Sequence, residues 1–152
     1  MLFAQPTIYA IKALCVMSRE YHGLVVKSRV LASALHINEA YLGKVLSLLA
    51  RRGLLNSHRG PAGGYQLTAQ PDEISLKDIL AACDDLDGLN GSGAAGVTAP
   101  DEYIHHYWSD LWSKFQEEAT EIVRDVTLED LVKLMIKRTP ETFRGQRPDT
   151  EL

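Results

Sequence analysis

The sequence predicts a mainly α-helical protein with one small β-hairpin, and three observations predict it. Apolar residues recur at three- and four-residue steps in segments that begin near Pro6, Ser28, Asn38, Ser75 and Asp101, the mark of helices with one buried face. Two short strand-like runs, Leu54–His58 and Tyr65–Leu67, flank the turn sequence Arg59-Gly60-Pro61-Ala62-Gly63-Gly64. Composition then shifts between Asp84 and Ala99, where four Gly and three Ala replace the large apolar residues. A chain of 152 residues that is 45% hydrophobic and 24% charged has material for a real core and fits one compact domain with an added oligomerisation element.

Each element has its own local reason. The first helix runs from Pro6 to about Tyr21, with Ile8, Ile11, Leu14, Cys15 and Ser18 on one stripe, and His22-Gly23 ends it. Ser28 stands where an N-cap belongs, ahead of a short helix carrying Leu31, Ala34 and Leu35. His36 falls where the chain wants a left-handed residue. Asn38 is a strong N-cap for a third helix, which runs to about Arg52 and stops at Gly53. That helix has two unlike faces. Leu42, Val45, Leu46 and Leu49 point to a core, while Ala40, Lys44, Ser47 and Arg51 are spaced four, three and four and share the opposite side. Gly43, inside it, costs about 1 kcal/mol relative to Ala, so it either permits a close backbone approach or is tolerated without purpose.

A short helix, a tight turn and a helix with a small, basic, hydroxyl-bearing face form a helix-turn-helix with its recognition helix second. The hairpin after it is a wing, and Arg59 at its tip suits the negative potential of a narrow minor groove. The expected fold is thus a winged helix-turn-helix, and charge supports double-stranded DNA as its partner. The net charge of −4 hides a split: residues 1–70 hold eight Lys or Arg against Glu20 and Glu39, which is +6 and leaves −10 to residues 71–152. The expected contact set is Ser28, Arg29 and Asn38 at the starts of the second and third helices, with Ala40, Tyr41, Lys44, Ser47 and Arg51 along the third. Arg59 and Gly60 complete it on the wing.

Beyond the wing, Ser75 with Asp78 three positions on opens a fourth helix over 75–83. From Asp101 to about Val126 an amphipathic helix carries Ile104, Trp108, Leu111, Phe115, Ala119, Ile122 and Val126, widened by Tyr107 and Trp112. At a rise of 1.5 Å per residue it spans roughly 40 Å, more than so small a domain can cover. Its simplest partner is its twin, so Trp108, Leu111, Trp112, Phe115 and Ile122 are expected to form a homodimer interface; folding back onto its own chain is the alternative. Thr127 opens a last amphipathic turn or two with Leu128, Leu131, Val132 and Met135. The organisation expected is a winged-helix domain over 1–83, a flexible loop over 84–100, dimerisation helices over 101–138 and a disordered tail over 139–152.

Two cysteines make no disulfide framework, and the apolar N-terminus is broken by Gln5, Pro6 and Lys12, so neither a signal peptide nor a spanning segment is expected and the cytoplasm is the default. No nucleotide loop, metalloprotease spacing or nucleophile–base set suggests an enzyme. The rival to a DNA-binding regulator is a winged helix used as a protein-interaction module without DNA binding, since a fold does not fix a function. The basic N-terminal half and the small face on the third helix discriminate between them, because an adaptor needs neither.

Ala40-Tyr41-Leu42, Leu49-Ala50-Arg51-Arg52-Gly53-Leu54, Arg59-Gly60-Pro61-Ala62-Gly63-Gly64-Tyr65 and Ile74-Ser75-Leu76-Lys77-Asp78-Ile79 together resemble the BadM/Rrf-type bacterial regulators, over roughly residues 5–135. The resemblance implies a dimeric winged-helix transcriptional regulator, read here as a repressor, with recognition helices in successive major grooves and wings at the minor groove. Iron–sulfur members of that family carry three cysteines in the loop after the wing and its helix, often with a histidine on the long helix. This chain has no cysteine from Asp84 to Glu102, so no cofactor, and in particular no conventional cluster, is expected. Cys83 and His105, with Glu102 or Asp101, are what remains for a metal, and Cys15 is the candidate for a redox switch. A redox or small-molecule effector is the signal expected.

Overall fold

A computed structural model describes residues 5–87, 110, 114, 117–119 and 121–138. Helices α1 (Gln5–Glu20), α2 (Ser28–Leu35) and α3 (Glu39–Arg51) are followed by strands β1 (Leu55–His58) and β2 (Gly64–Leu67), then by α4 (Leu76–Asp87) and α5 (Leu128–Arg138). Residues 110, 114, 117–119 and 121–123 are also helical. The loop expected over 84–100 loses its start to α4, which runs on to Asp87. The rest of that loop, the tail over 139–152, and His105, Trp108, Leu111, Trp112 and Phe115 lie outside the described residues.

Helix α1 is the centre of the core and touches α2, α3, α4, α5 and β2. Contact on several sides explains why its buried set differs from the single stripe the sequence suggests. Ala10, Ala13, Leu14 and Met17 are sealed with Cys15 and Val16, whereas Ile8, Ile11 and Ser18 are only half-buried. Alanines at 10 and 13 leave room for neighbouring helices to come close, and Leu31, Leu42, Leu46, Leu49, Ile79 and Leu128 fill the space around them. Each such large side chain stabilises the fold by about 1.5–3 kcal/mol on burial.

The helix ends follow sequence chemistry with one correction. His36 adopts the left-handed conformation at φ 55° and closes α2. Asn38 caps α3 by accepting from the Tyr41 N–H at 3.1 Å. Ser28, in contrast, does not cap α2: Lys27 occupies the N-cap position without a side-chain bond, and the Ser28 hydroxyl donates instead to Glu39 Oε1 at 3.3 Å. A carboxylate across the turn outcompetes the local cap.

The last helix belongs to the same core as the winged helix rather than to a separate unit. Ser75 and Thr127 pair as an antiparallel bridge, with Leu76 N–H donating to the Val126 carbonyl at 2.7 Å and Leu128 N–H to the Ile74 carbonyl at 2.8 Å. Matching capping boxes start the two helices there. Ser75 and Asp78 exchange side-chain and backbone bonds, and Thr127 N–H and Oγ1 donate to Asp130 Oδ2 at 3.0 and 2.9 Å while Asp130 N–H returns to Thr127 Oγ1 at 3.2 Å.

The bond from the Thr127 N–H, seconded by its hydroxyl, lowers the Asp130 pKa below its ordinary value. A carboxyl with a depressed folded pKa contributes stability above its unfolded pKa and loses it as pH falls through the folded one. Asp130→Asn, which keeps an acceptor but no charge, is therefore expected to flatten the acid side of the stability profile below about pH 5. Urea unfolding at stepped pH measures this, and an unchanged acid limb contradicts it.

Candidate nucleic-acid interface

The third helix presents the two faces its spacing predicts. Leu42, Val45, Leu46, Leu48 and Leu49 are buried, and Ala40, Lys44, Ser47 and Arg51 are exposed on the other side. Gly43 has open space where a Cβ would stand, so among the described residues no backbone of another element approaches it. Tyr41 is half-buried and meets the Tyr9 ring edge-on at 5.7 Å between centroids. Burial, and secondarily Tyr9, raises the Tyr41 pKa above its ordinary value.

Strands β1 and β2 pair antiparallel from Leu55↔Leu67 to His58↔Gly64, leaving Arg59 and Gly60 exposed in the connecting turn. Gly60 takes φ +97°, a region that favours glycine. A different constraint governs Gly64. A Cβ there would lie 2.3 Å from the Val26 carbonyl oxygen, because Val26 and Tyr65 exchange both backbone hydrogen bonds at 2.8 Å. The wing is thus stitched to the segment before α2. It is also tied to α3, since the Tyr65 and Ser47 hydroxyls are hydrogen-bonded at 3.1 Å. On its other edge His58 Nε2 meets Gln66 Oε1 at 3.1 Å, and Gln66 Nε2 donates to the Gly23 carbonyl at 2.8 Å.

These ties bring the start of α2, the start of α3 and the wing around one open groove of about 370 Å³, lined among others by Lys27, Ser28, Arg29, Glu39, His58, Gly60 and Tyr65. Of the residues expected from sequence, Ser28, Arg29 and Gly60 line this groove, while Asn38, Ala40, Tyr41, Lys44, Ser47 and Arg51 lie on α3 and its cap and Arg59 in the wing turn. Their freedom differs. Asn38 is engaged as a cap, Ser28 with Glu39 and Ser47 with Tyr65, while Lys44, Arg51 and Arg59 are exposed cations. Sequence reasoning missed Lys27, Glu39, His58 and Tyr65. Only Tyr65 had a visible signal, as the last residue of the Arg59–Tyr65 turn motif.

The sensing candidates lie elsewhere. Cys15 and Cys83 are each 1% exposed, in α1 and α4, and neither is in a disulfide. Burial pushes the Cys15 thiol up to about 11, so the reactive thiolate is scarce at neutral pH. Among the described residues no three His, Cys, Asp or Glu side chains are grouped to hold a metal ion. Of the expected dimer contacts Ile122 is described, and it is 77% exposed in the single chain.

Gly64→Ala is expected to cost about 1–3 kcal/mol, because the Val26–Tyr65 pairing must open to admit the methyl group. Chemical denaturation measures it, with amide exchange at Val26 and Tyr65 as the local readout. A variant as stable as the parent, with both amides still protected, removes the close-approach account.

Comparison with known proteins agrees with this geometry. The Rrf2 family pattern, described as an iron-dependent transcriptional regulator, matches residues 3–134. The HTH-type transcriptional regulator slr0846 of Synechocystis is 34% identical over 124 residues, covering 81% of this chain and 82% of its own length. The HTH-type transcriptional regulator IscR of Xenorhabdus nematophila is 33% identical over 98 residues, 64% of this chain and 58% of its own. Among solved structures, T. potens IscR superposes with a TM-score of 0.67 at 20% identity, over 96% of this chain and 97% of that one. CymR, the global cysteine regulator of B. subtilis, gives 0.63 at 24%, over 88% and 98%. At such identities the two structures speak for the fold, and the sequence matches speak for the family. The chain belongs to the Rrf2 family and is a winged-helix, DNA-binding transcriptional regulator.

Proposed function

We propose that the protein is a cytoplasmic homodimeric repressor, without catalytic activity, that binds a pseudo-palindromic operator through residues 28–65. The observation that carries the reading is the exposed face of Ala40, Lys44, Ser47 and Arg51 on α3, held beside the Arg59 turn by the Ser47–Tyr65 hydroxyl pair. An α-helix with a small basic face fits the major groove, where Lys44 can reach guanine acceptors, and Arg59 suits the adjacent minor groove. Among the described residues no helix is long and apolar enough to cross a membrane.

The donor set of this chain does not fit a cysteine-held cluster. The sequence has two cysteines, both buried in the core, and none between Asp84 and Glu102, where thiolate ligands would have to come from. A small-molecule effector fits the chain better than a thiol switch, given the buried Cys15. Protein purified without air is expected to be colourless and free of iron; a visible absorption band with stoichiometric iron and sulfide overturns this.

Dimerisation through the stripe that includes Ile122 sets two recognition helices about 34 Å apart, one turn of B-DNA. One titration series tests the whole reading. On an enriched duplex, log affinity is expected to fall linearly with log salt, and Lys44→Ala and Arg59→Ala each either lower that slope by about 1 or lose about 1–3 kcal/mol at one base pair. Ile122→Glu, at a position exposed in the single chain, is expected to sediment as a folded monomer that has lost operator binding. A flat salt dependence removes DNA as the ligand of this face and favours a protein partner, and a monomer that binds the full operator as tightly as the parent removes the two-fold arrangement.

A further inference from the structure

Glu39 is the only acidic residue between Tyr21 and Pro71, a stretch that otherwise carries Lys27, Arg29, Lys44, Arg51, Arg52 and Arg59. It is the first residue of α3, it is exposed, and it lines the same groove as Lys27 and Arg29. Among the described residues it nevertheless forms no ion pair with either cation, and its side-chain partner is the neutral Ser28 hydroxyl at 3.3 Å.

A carboxylate at this place is costly beside DNA. It is acceptor-only, and the phosphates and sugar-ring oxygens that surround a docked recognition helix are acceptors too. The donors that a major groove offers are the exocyclic amino groups, cytosine N4 and adenine N6. Adenine also presents N7, an acceptor, next to its amino group, which disfavours a second carboxylate oxygen. Residues in the first turn of a recognition helix are the ones that reach base edges.

We propose that Glu39 is a specificity-determining residue of the DNA site, accepting from a base amino group in the major groove, cytosine N4 by preference, with the Ser28 hydroxyl orienting its carboxylate. The proposal rests on residues 28–65 being the DNA-binding face. It differs from the plain reading of Glu39 as an acid that favours the positive end of α3, because that role carries no base preference.

The test is selection of bound duplexes from a randomised double-stranded library by the full chain, with Glu39→Gln, Glu39→Ala and Lys44→Ala run in parallel. Cytosine is expected at one base-pair position with the parent protein, discriminated about tenfold over the other bases. Glu39→Gln should move that position to adenine, since an amide both accepts from N6 and donates to N7. Glu39→Ala should lose the preference there while binding random duplex more tightly. Melting temperatures of the variants report the helix-end role separately. If both Glu39 variants keep every base preference while Lys44→Ala loses affinity, the Glu39 assignment is overturned and the binding face stands. If all three variants bind like the parent, the face itself is overturned.

Discussion

The paired backbone hydrogen bonds between Val26 and Tyr65, each 2.8 Å, fix where everything on the nucleic-acid side can be. An isolated two-stranded hairpin is marginal in water, and here β1–β2 gains a third edge from the segment before α2. The pairing demands contact so close that residue 64 can carry no side chain. Once it is made, Tyr65 lies within reach of Ser47 on α3, and Gln66 on the same strand reaches the Gly23 carbonyl. The wing is therefore held against α3 and against the segment that leads into α2, which sets where Arg59 stands relative to Lys44 and Arg51. A DNA-reading surface built from three elements needs such a joint, because a shift of an ångström between them would misplace contacts whose strength depends on geometry.

A second joint does the same at the other end. The bridge between Ser75 and Thr127 ties the start of α4 to the start of α5. Two capping boxes start α4 and α5 side by side, and Leu128, wholly buried, locks α5 onto the core around α1. Met17 and Leu14 of α1 are sealed in the same core as Leu46 and Leu49 of α3, which is the physical continuity a signal would need.

How much of this could be read without coordinates depended on the range of the interaction concerned. His36 in the left-handed turn, Asn38 as a cap, the two faces of α3 and the capping box at Ser75 are set by residues within four positions of one another, and all were legible. Ser28 was misread as a cap because its competitor, Glu39, is eleven residues away. The buried side of α1 was misplaced for a similar reason. Its period was visible, but a helix packed by five other elements buries more than one stripe, including small residues such as Ala10 and Ala13. Gly64 reads in the sequence as one more residue of the turn, whereas its role comes from Val26, far off in the chain, whose carbonyl oxygen would lie 2.3 Å from a Cβ at residue 64. The length of α4 past Cys83 was hidden by a composition rich in Asp and Gly, which local rules assign to loops.

The charge distribution completes the physical picture. Residues 71–152 carry an excess of acid, and the pairs Glu121–Arg124 and Glu129–Lys133 among them stand at exposed positions that contribute little to stability. Their effect is rather on approach. A polyanion is repelled by the −10 of residues 71–152 and drawn to the +6 of residues 1–70, so encounters are biased toward the face formed by α2, α3 and the wing before any specific contact forms. Such steering acts alike on every sequence of DNA. Discrimination must come from groups that gain only on the right base, and a cation that reads guanine is satisfied by phosphate as well. A lone carboxylate at the start of α3 inverts that logic: the backbone penalises it everywhere, and only a base-edge donor offsets the penalty. Placing one acid among six cations therefore trades general affinity for selectivity, and its location at the helix end nearest the groove is where that exchange has the most effect.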